Sequence, residues 1–180
     1  MNRNITIDYL KCLAVFFVIC IHAFPFVGVN IYGVPGDYLN FIINTFSRFA
    51  VPTFFVISGY LLGVKLIEGK EPKNYFKKYF SKILKVYIYW FLFYFIFQLV
   101  IRINNKGLNS FRDVYHFINS QINIKAIIYG YNDTTYHLWY LPALLFSVTI
   151  VYLAFKQKKI THLICVSFIL NLVGLFGQSY

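Results

Sequence analysis

Five apolar stretches occupy most of this 180-residue chain, roughly Leu10–Val29, Phe41–Val64, Ile83–Ile103, Leu138–Phe155 and Leu163–Phe176. The first four reach the roughly 17–25 residues that cross a bilayer; the fifth is shorter and stands at the chain end. Hydrophobic residues make up 59% of the sequence and charged residues 13%, more apolar surface than a water-soluble domain of this length can hide. The mean hydropathy is +0.61. Aromatic residues, at 22%, suit the interfacial belts of membrane spans. The expected fold is all-α: a polytopic transmembrane helix bundle of about five spans, forming one membrane domain over residues 1–180. The first stretch is too long for a secretory signal peptide and is followed by no small-residue cleavage site.

The net charge of +11 would suit nucleic acid, but its distribution points elsewhere. Arg3 and Lys11 open the first span, and the loop from Asn30 to Asn40 carries no Lys or Arg. Lys65, Lys70, Lys73, Lys77, Lys78, Lys82 and Lys85 lie between spans two and three, and Lys156, Lys158 and Lys159 in the last turn. One side thus holds twelve basic residues against four on the other (Arg102, Lys106, Arg112 and Lys125), with Arg48 inside a span. By the positive-inside rule the amino terminus is cytoplasmic, and the basic excess is topology rather than nucleic-acid binding.

Two further segments have helical periodicity. In Glu71–Leu84, Tyr75, Phe76, Tyr79, Phe80, Ile83 and Leu84 share one face and the lysines the others. That pattern predicts a basic amphipathic helix on the cytoplasmic surface, running into span three beside anionic lipid. On the other side, Ser110-Phe-Arg-Asp113 resembles a capping box ahead of an apolar stripe at Phe111, Val114, Tyr115, Ile118 and Ile122. Cys12, Cys20 and Cys165 fall in apolar spans without a CxxC pattern and read as buried small hydrophobes. No GxGxxG, GK[ST], HExxH or zinc-type cluster occurs, so neither a metal nor a permanently bound cofactor is expected. Asn4-Ile-Thr6 and Asn132-Asp-Thr134 match the glycosylation tripeptide, a pattern too short to carry weight.

Ionisable residues inside spans are costly and mark functional sites. Lys11 and His22 are eleven residues apart, which on a helix is about 20° beyond three turns and roughly 16 Å along one stripe. Arg48 stands within the second span, four residues before Pro52, which should kink or break the helix; Gly59 would allow a neighbour to approach closely. With span two running inward, Arg48 and His22 fall at similar depth in the outer half of the bilayer. The alternative is that Arg48 snorkels to the interface and His22 makes a packing hydrogen bond.

These residues also carry a resemblance. Asp8-Tyr-Leu-Lys11-Cys-Leu-Ala-Val-Phe-Phe-Val-Ile-Cys-Ile-His22 resembles the opening of the membrane-integral acyltransferase-3 family, which includes bacterial O-acetyltransferases of surface polysaccharides. Arg48-Phe-Ala-Val-Pro-Thr-Phe-Phe-Val-Ile-Ser-Gly-Tyr60 is similar to its second-helix signature. Lys82-Ile-Leu-Lys-Val-Tyr-Ile-Tyr-Trp90 resembles the basic lead into its third helix, and His137-Leu-Trp-Tyr-Leu141 its His-Leu-Trp block. The first-helix basic residue is usually Arg in the family and is Lys11 here, which keeps the charge without the bidentate fork. Family members have about twice the five spans counted by the length criterion, so the chain resembles an amino-terminal half, expected to be inactive alone.

The resemblance implies an acyl-coenzyme A donor, acetyl-coenzyme A in the first instance, and a glycan or lipid-linked glycan acceptor in a bacterial inner membrane. Lys11, with Lys82 and Lys85 as helpers, would hold the donor phosphates; the pantetheine arm would run along span one to His22. His22 would act as general base or take the acyl group itself. Arg48 would orient the site or stabilise oxyanion charge. Asp8 would hold Lys11 as an i,i+3 pair. His137 and Trp139 are candidates for acceptor binding, with an interfacial packing role as the alternative. The Pro-interrupted, charged second span also fits a secondary transporter, and a non-catalytic membrane subunit is the third class.

The charge asymmetry yields a direct test. Cysteine introduced at position 34 should react with an impermeant maleimide in intact cells and cysteine at position 70 should not. The reversed pattern contradicts the orientation.

Overall fold

Asn4 starts the first helix: its Oδ1 accepts hydrogen bonds from the backbone N–H groups of Thr6 (3.1 Å) and Ile7 (3.4 Å). A cap of this kind satisfies donors that a helix start leaves open, and gives the Asn4 tripeptide a structural role. The computed structural model describes residues 4–69, 71–106, 111–121, 128 and 136–177. Among these the order is α1 (Ile5–Ala23), a hairpin of β1 (Asn30–Ile31) and β2 (Val34–Pro35), α2 (Gly36–Ser47) and α3 (Ala50–Glu68). Then come α4 (Pro72–Lys106), α5 (Phe111–Gln121), a 3₁₀ turn (Tyr136–Trp139), α6 (Tyr140–Lys156) and α7 (Ile160–Gly177). The chain divides into two compact units, Met1–Gly63 and Val64–Tyr180, with the boundary inside α3.

The all-α expectation holds. Helices Ile5–Ala23, Gly36–Glu68 (α2 and α3 end to end) and Pro72–Asn104 are long and apolar enough to cross a bilayer. The fourth and fifth stretches form apolar helices that are shorter, Tyr140–Lys156 and Ile160–Phe176. The fourth helix begins two residues after its apolar stretch does, because the chain enters it through the 3₁₀ turn, with Pro142 in the first turn of α6. Only 6% of the most apolar window of α1, and 6% of that of α4, is buried within the protein. The outward surface is therefore hydrocarbon, which lipid can solvate and water cannot. Hydroxyls in these helices are satisfied locally: Thr45 donates to Phe41 O, Thr53 to Phe49 O, Ser147 to Ala143 O and Thr149 to Leu145 O, each at 2.7–2.8 Å.

In the first unit, α1 packs directly against α2. The hairpin pairs Asn30 with Pro35 and Ile31 with Val34, and turns through Tyr32 and Gly33, both at positive φ. The N–H of Gly36 then donates to Val29 O at 2.7 Å, and Asn40 Oδ1 accepts from the N–H of Phe26 at 3.2 Å. These two bonds fasten the first turns of α2 to the loop leaving α1. Gly36 is required by space: a Cβ there would stand 1.9 Å from Phe26 O and 2.7 Å from Val29 O. Gly59, expected to admit a close neighbour, has nothing within 4 Å of its Cβ position. Among the described residues no neighbour uses the space that Gly59 leaves on α3.

In the second unit, α4 and α6 are antiparallel partners: Phe76 at the start of α4 stacks on Tyr152 near the end of α6, with ring centroids 4.0 Å apart. Ile83, Tyr87, Leu145 and Val148 are buried along the two helices. The basic segment and the third span form one uninterrupted helix. After Pro72 it contains no Gly or Pro at which a segment lying along the surface would turn into the membrane. At its far end Phe117 of α5 stacks on Phe95 (5.8 Å) while the Arg102 guanidinium sits 5.1 Å from the Phe117 ring centre. The expected helix near Ser110–Gln121 is thus present as α5, although Ser110 and the Asn132 tripeptide lie outside the described residues. Cys12 and Cys165 are exposed on their helices and Cys20 is intermediate, so the first two are small hydrophobes that neighbouring helices do not bury.

A pair of glycine substitutions tests the docking of α2. Gly36→Ala is expected to lower the unfolding midpoint of the purified chain in detergent, because the added methyl meets backbone atoms. Gly63→Ala, in the open, is expected to be neutral or stabilising by up to about 1 kcal/mol. Equal effects of the two would contradict the close approach at Gly36.

Candidate active site

Lys11 and His22 are carried by the same unbroken helix, so their eleven-residue separation corresponds to roughly 16 Å of rise. Along α1 the residues with reduced exposure include Ile7, Lys11, Ala14, Val18 and Ile21, alternating steps of four and three. This is the packed stripe of the helix, and Ala14, with no exposed surface, is its centre. Lys11 belongs to that stripe; His22 stands at its edge and is exposed. Asp8 is likewise partly buried, three residues before Lys11 on the same helix.

The end of α1 differs from the apolar run that marked it. The run continues to Val29, but the helix stops at Ala23, with Phe24 in the left-handed region (φ 43°, ψ 60°) ahead of Pro25. A residue before proline is disfavoured in the helical region, so the helix ends there whatever the hydropathy. His22 therefore occupies the last turn of α1 and is not one of several turns deep in a longer helix.

Arg48 is also at a helix end. α2 closes at Ser47, the Arg48 N–H reaches back to Thr45 O at 3.5 Å, and α3 begins at Ala50. The expected break is present and its position has a cause. Pro52 has no N–H to give the Arg48 carbonyl, and its ring crowds that carbonyl, four residues earlier. Pro52 itself sits in the first turn of α3, where its missing donor is harmless. Ser47 and Ala50, on either side of the break, have no exposed surface, whereas Arg48 is exposed.

Phe17 and Phe49 bring this break against α1: their rings meet edge to face at 5.2 Å. Phe17 is five residues before His22 on α1, and Phe49 directly follows Arg48. Two residues that sequence reasoning did not single out shape this region. Phe49 contacts α1, and Asn40, buried in α2, holds Phe26 while its Nδ2 meets no hydrogen-bond partner among the described residues. A polar side chain directly before the apolar run starting at Phe41 was the available signal.

The remaining candidates lie in the second unit. Lys82 and Lys85 are exposed on α4 and line a shallow groove of about 610 Å³ with Lys77, Lys78, Ser81 and Val86. The grouping with Lys77, Lys78 and Ser81 went beyond the pair expected. His137 falls in the 3₁₀ turn, with its side chain outside the described residues. Beside it Leu138 is buried and Trp139 is 45% exposed. Lys11, His22 and Arg48 thus belong to one unit, and Lys82, Lys85, His137 and Trp139 to the other.

Comparison with known proteins supplies the context for this geometry. A family profile described as an acyltransferase domain, Acyl_transf_3, matches residues 4–180. Two curated Enterococcus faecalis proteins, each named an amino-acid racemase, are similar to the chain. One is 27% identical over 175 residues, covering 97% of this chain and 22% of the relative. The other is 33% identical over 188 residues, covering 99% of this chain and 23% of the relative. The chain spans less than a quarter of the length of these relatives. No solved structure matches the chain.

Proposed function

The chain belongs to the acyltransferase-3 family, and from that membership we propose that it moves an acyl group, acetyl in the simplest case, from acyl-coenzyme A to a hydroxyl. The acceptor is a cell-surface polysaccharide or its lipid-linked precursor, and the setting is a bacterial inner membrane with the Lys11 end of α1 cytoplasmic. The observation that carries this reading is α1 itself: one helix with a cation near one end, an imidazole at the other, and roughly 16 Å between them. That spacing suits the pantetheine arm, which separates the phosphates of coenzyme A from its thioester.

In this mechanism Lys11 holds donor phosphate, with Lys82 and Lys85 as further phosphate contacts. The thioester lies beside His22 in the last turn of α1. The imidazole removes the proton from the acceptor hydroxyl as its oxygen bonds to the acyl carbon; the carbon–sulfur bond then breaks, and the proton passes to the departing thiolate. The Arg48 guanidinium is assigned to orienting the site or meeting negative charge on the carbonyl oxygen. His137 and Trp139 are assigned to the acceptor. The racemase name of the two relatives is not carried over, because the chain matches under a quarter of each and the matched stretch has an acyltransferase description.

Substitutions at the two ends of α1 separate the roles when made in an active enzyme that contains these residues, read as radiolabelled acetyl transfer in membranes carrying that enzyme. His22→Ala should abolish transfer while leaving membrane insertion intact, since it removes a polar group from an apolar segment. Lys11→Ala should raise the acetyl-coenzyme A concentration needed by about tenfold or more, the worth of one charge-assisted hydrogen bond. Lys11→Arg should preserve or improve donor use, because the fork suits phosphate. Near-normal turnover in His22→Ala would return that residue to a packing role.

A further inference from the structure

The lysines of the second unit come from two places in the sequence and meet at one end of the fold. Lys73, Lys77, Lys78, Lys82 and Lys85 lie on the first turns of α4, and Lys156, Lys158 and Lys159 at the end of α6 and on the turn that follows it. The stack of Phe76 on Tyr152 joins these segments, since Tyr152 is one turn before Lys156 and Phe76 lies between Lys73 and Lys77. All three turn lysines are exposed. The carboxylates nearest in sequence, Glu68 and Glu71, precede α4, and Glu71 accepts a hydrogen bond from the Asn74 side chain.

The α6–α7 turn is built to present its lysines. The N–H of Lys158 donates to Phe155 O (3.0 Å) and that of Lys159 to Ala154 O (2.8 Å), the bonding pattern of a Schellman cap. The left-handed position of such a cap favours glycine, yet here it is Lys158, at φ 57°. A backbone strained around a charged side chain directs attention to what that charge meets.

We infer that this end of the second unit binds the headgroup of an anionic phospholipid, its phosphodiester seated in the groove of Lys77, Lys78 and Ser81 on α4, with the turn lysines adding positive charge at the same end of the unit. The position argues for lipid over a soluble anion. The groove ends at Val86, and the apolar run of the same helix follows directly, with Ile88, Tyr89, Leu92 and Phe93 exposed for acyl chains. Phosphate and chains of one lipid thus find complementary surfaces along a single helix. Lys82 and Lys85 border the same groove and are shared with the proposed donor contacts; the inference itself requires only the membrane fold.

The test is lipid retention by the purified chain after exchange from vesicles of phosphatidylglycerol or phosphatidylcholine, counted by native mass spectrometry. Phosphatidylglycerol should be retained at least fivefold over phosphatidylcholine, and less so as salt rises. Lys77→Gln with Lys78→Gln should lower retention at least fivefold, whereas Lys77→Arg with Lys78→Arg should keep it. Lys158→Gly relieves the strained backbone and removes a charge, so it should lower retention in a chain that is still folded. Equal retention of the two lipids, or no loss in the Gln and Gly variants, overturns the inference. So does displacement of phosphatidylglycerol by excess free coenzyme A, which would assign the groove to the soluble donor.

Discussion

Inside a bilayer every backbone donor and acceptor has to be satisfied by the chain itself, and in this protein two prolines decide where that condition is relaxed. Pro25 forces Phe24 out of the helical region and ends α1 at Ala23. Pro52 leaves the Arg48 carbonyl without its helical partner and separates α2 from α3. His22 is three residues before the first proline and Arg48 four before the second. Both candidate groups therefore occupy helix ends, where the backbone departs from its regular path and a substrate can approach polar atoms. The positions of the prolines, more than the hydropathy of the spans, determine the geometry of the site.

Packing supports this arrangement with little buried surface. Lipid tails are as apolar as leucine, so helices gain little from hiding hydrocarbon from one another and associate through close fit and specific polar contacts. The described contacts have that character: Ala14, Ser47 and Ala50 without exposed surface, the Phe17–Phe49 edge contact, and the Asn40 clasp on Phe26. In the second unit the Phe76–Tyr152 stack and the Arg102–Phe117 contact serve the same purpose at opposite ends of α4.

Hydropathy and motif carried much of this in advance, and their failures have physical reasons. The apolar cores of α1, α3 and α4, the break near Arg48 and the basic face of α4 were legible because periodicity and proline are local signals. The end of α1 was misread by six residues, since Phe24, Phe26, Val27 and Val29 continue the apolar run beyond the point where Pro25 stops the helix. The start of α2 at Gly36 was hidden by polar Asp37 and Asn40; the partner of Asn40, the Phe26 N–H, lies in the preceding loop. The contact of the α2–α3 break with α1, and the placing of two lysine clusters at one end of the second unit, depend on ring contacts between distant segments that no local pattern reports.

The central claim is that α1 spans the donor, with phosphate at the Lys11 end and acyl group at the His22 end. Photo-crosslinking in membranes carrying the protein addresses it directly, using two coenzyme A analogues that differ only in where the reactive group sits. A probe on the acyl group should label the peptide around His22, and one on the nucleotide the peptide around Lys11. Labelling of both probes at one end, or the reversed pattern, would contradict the account.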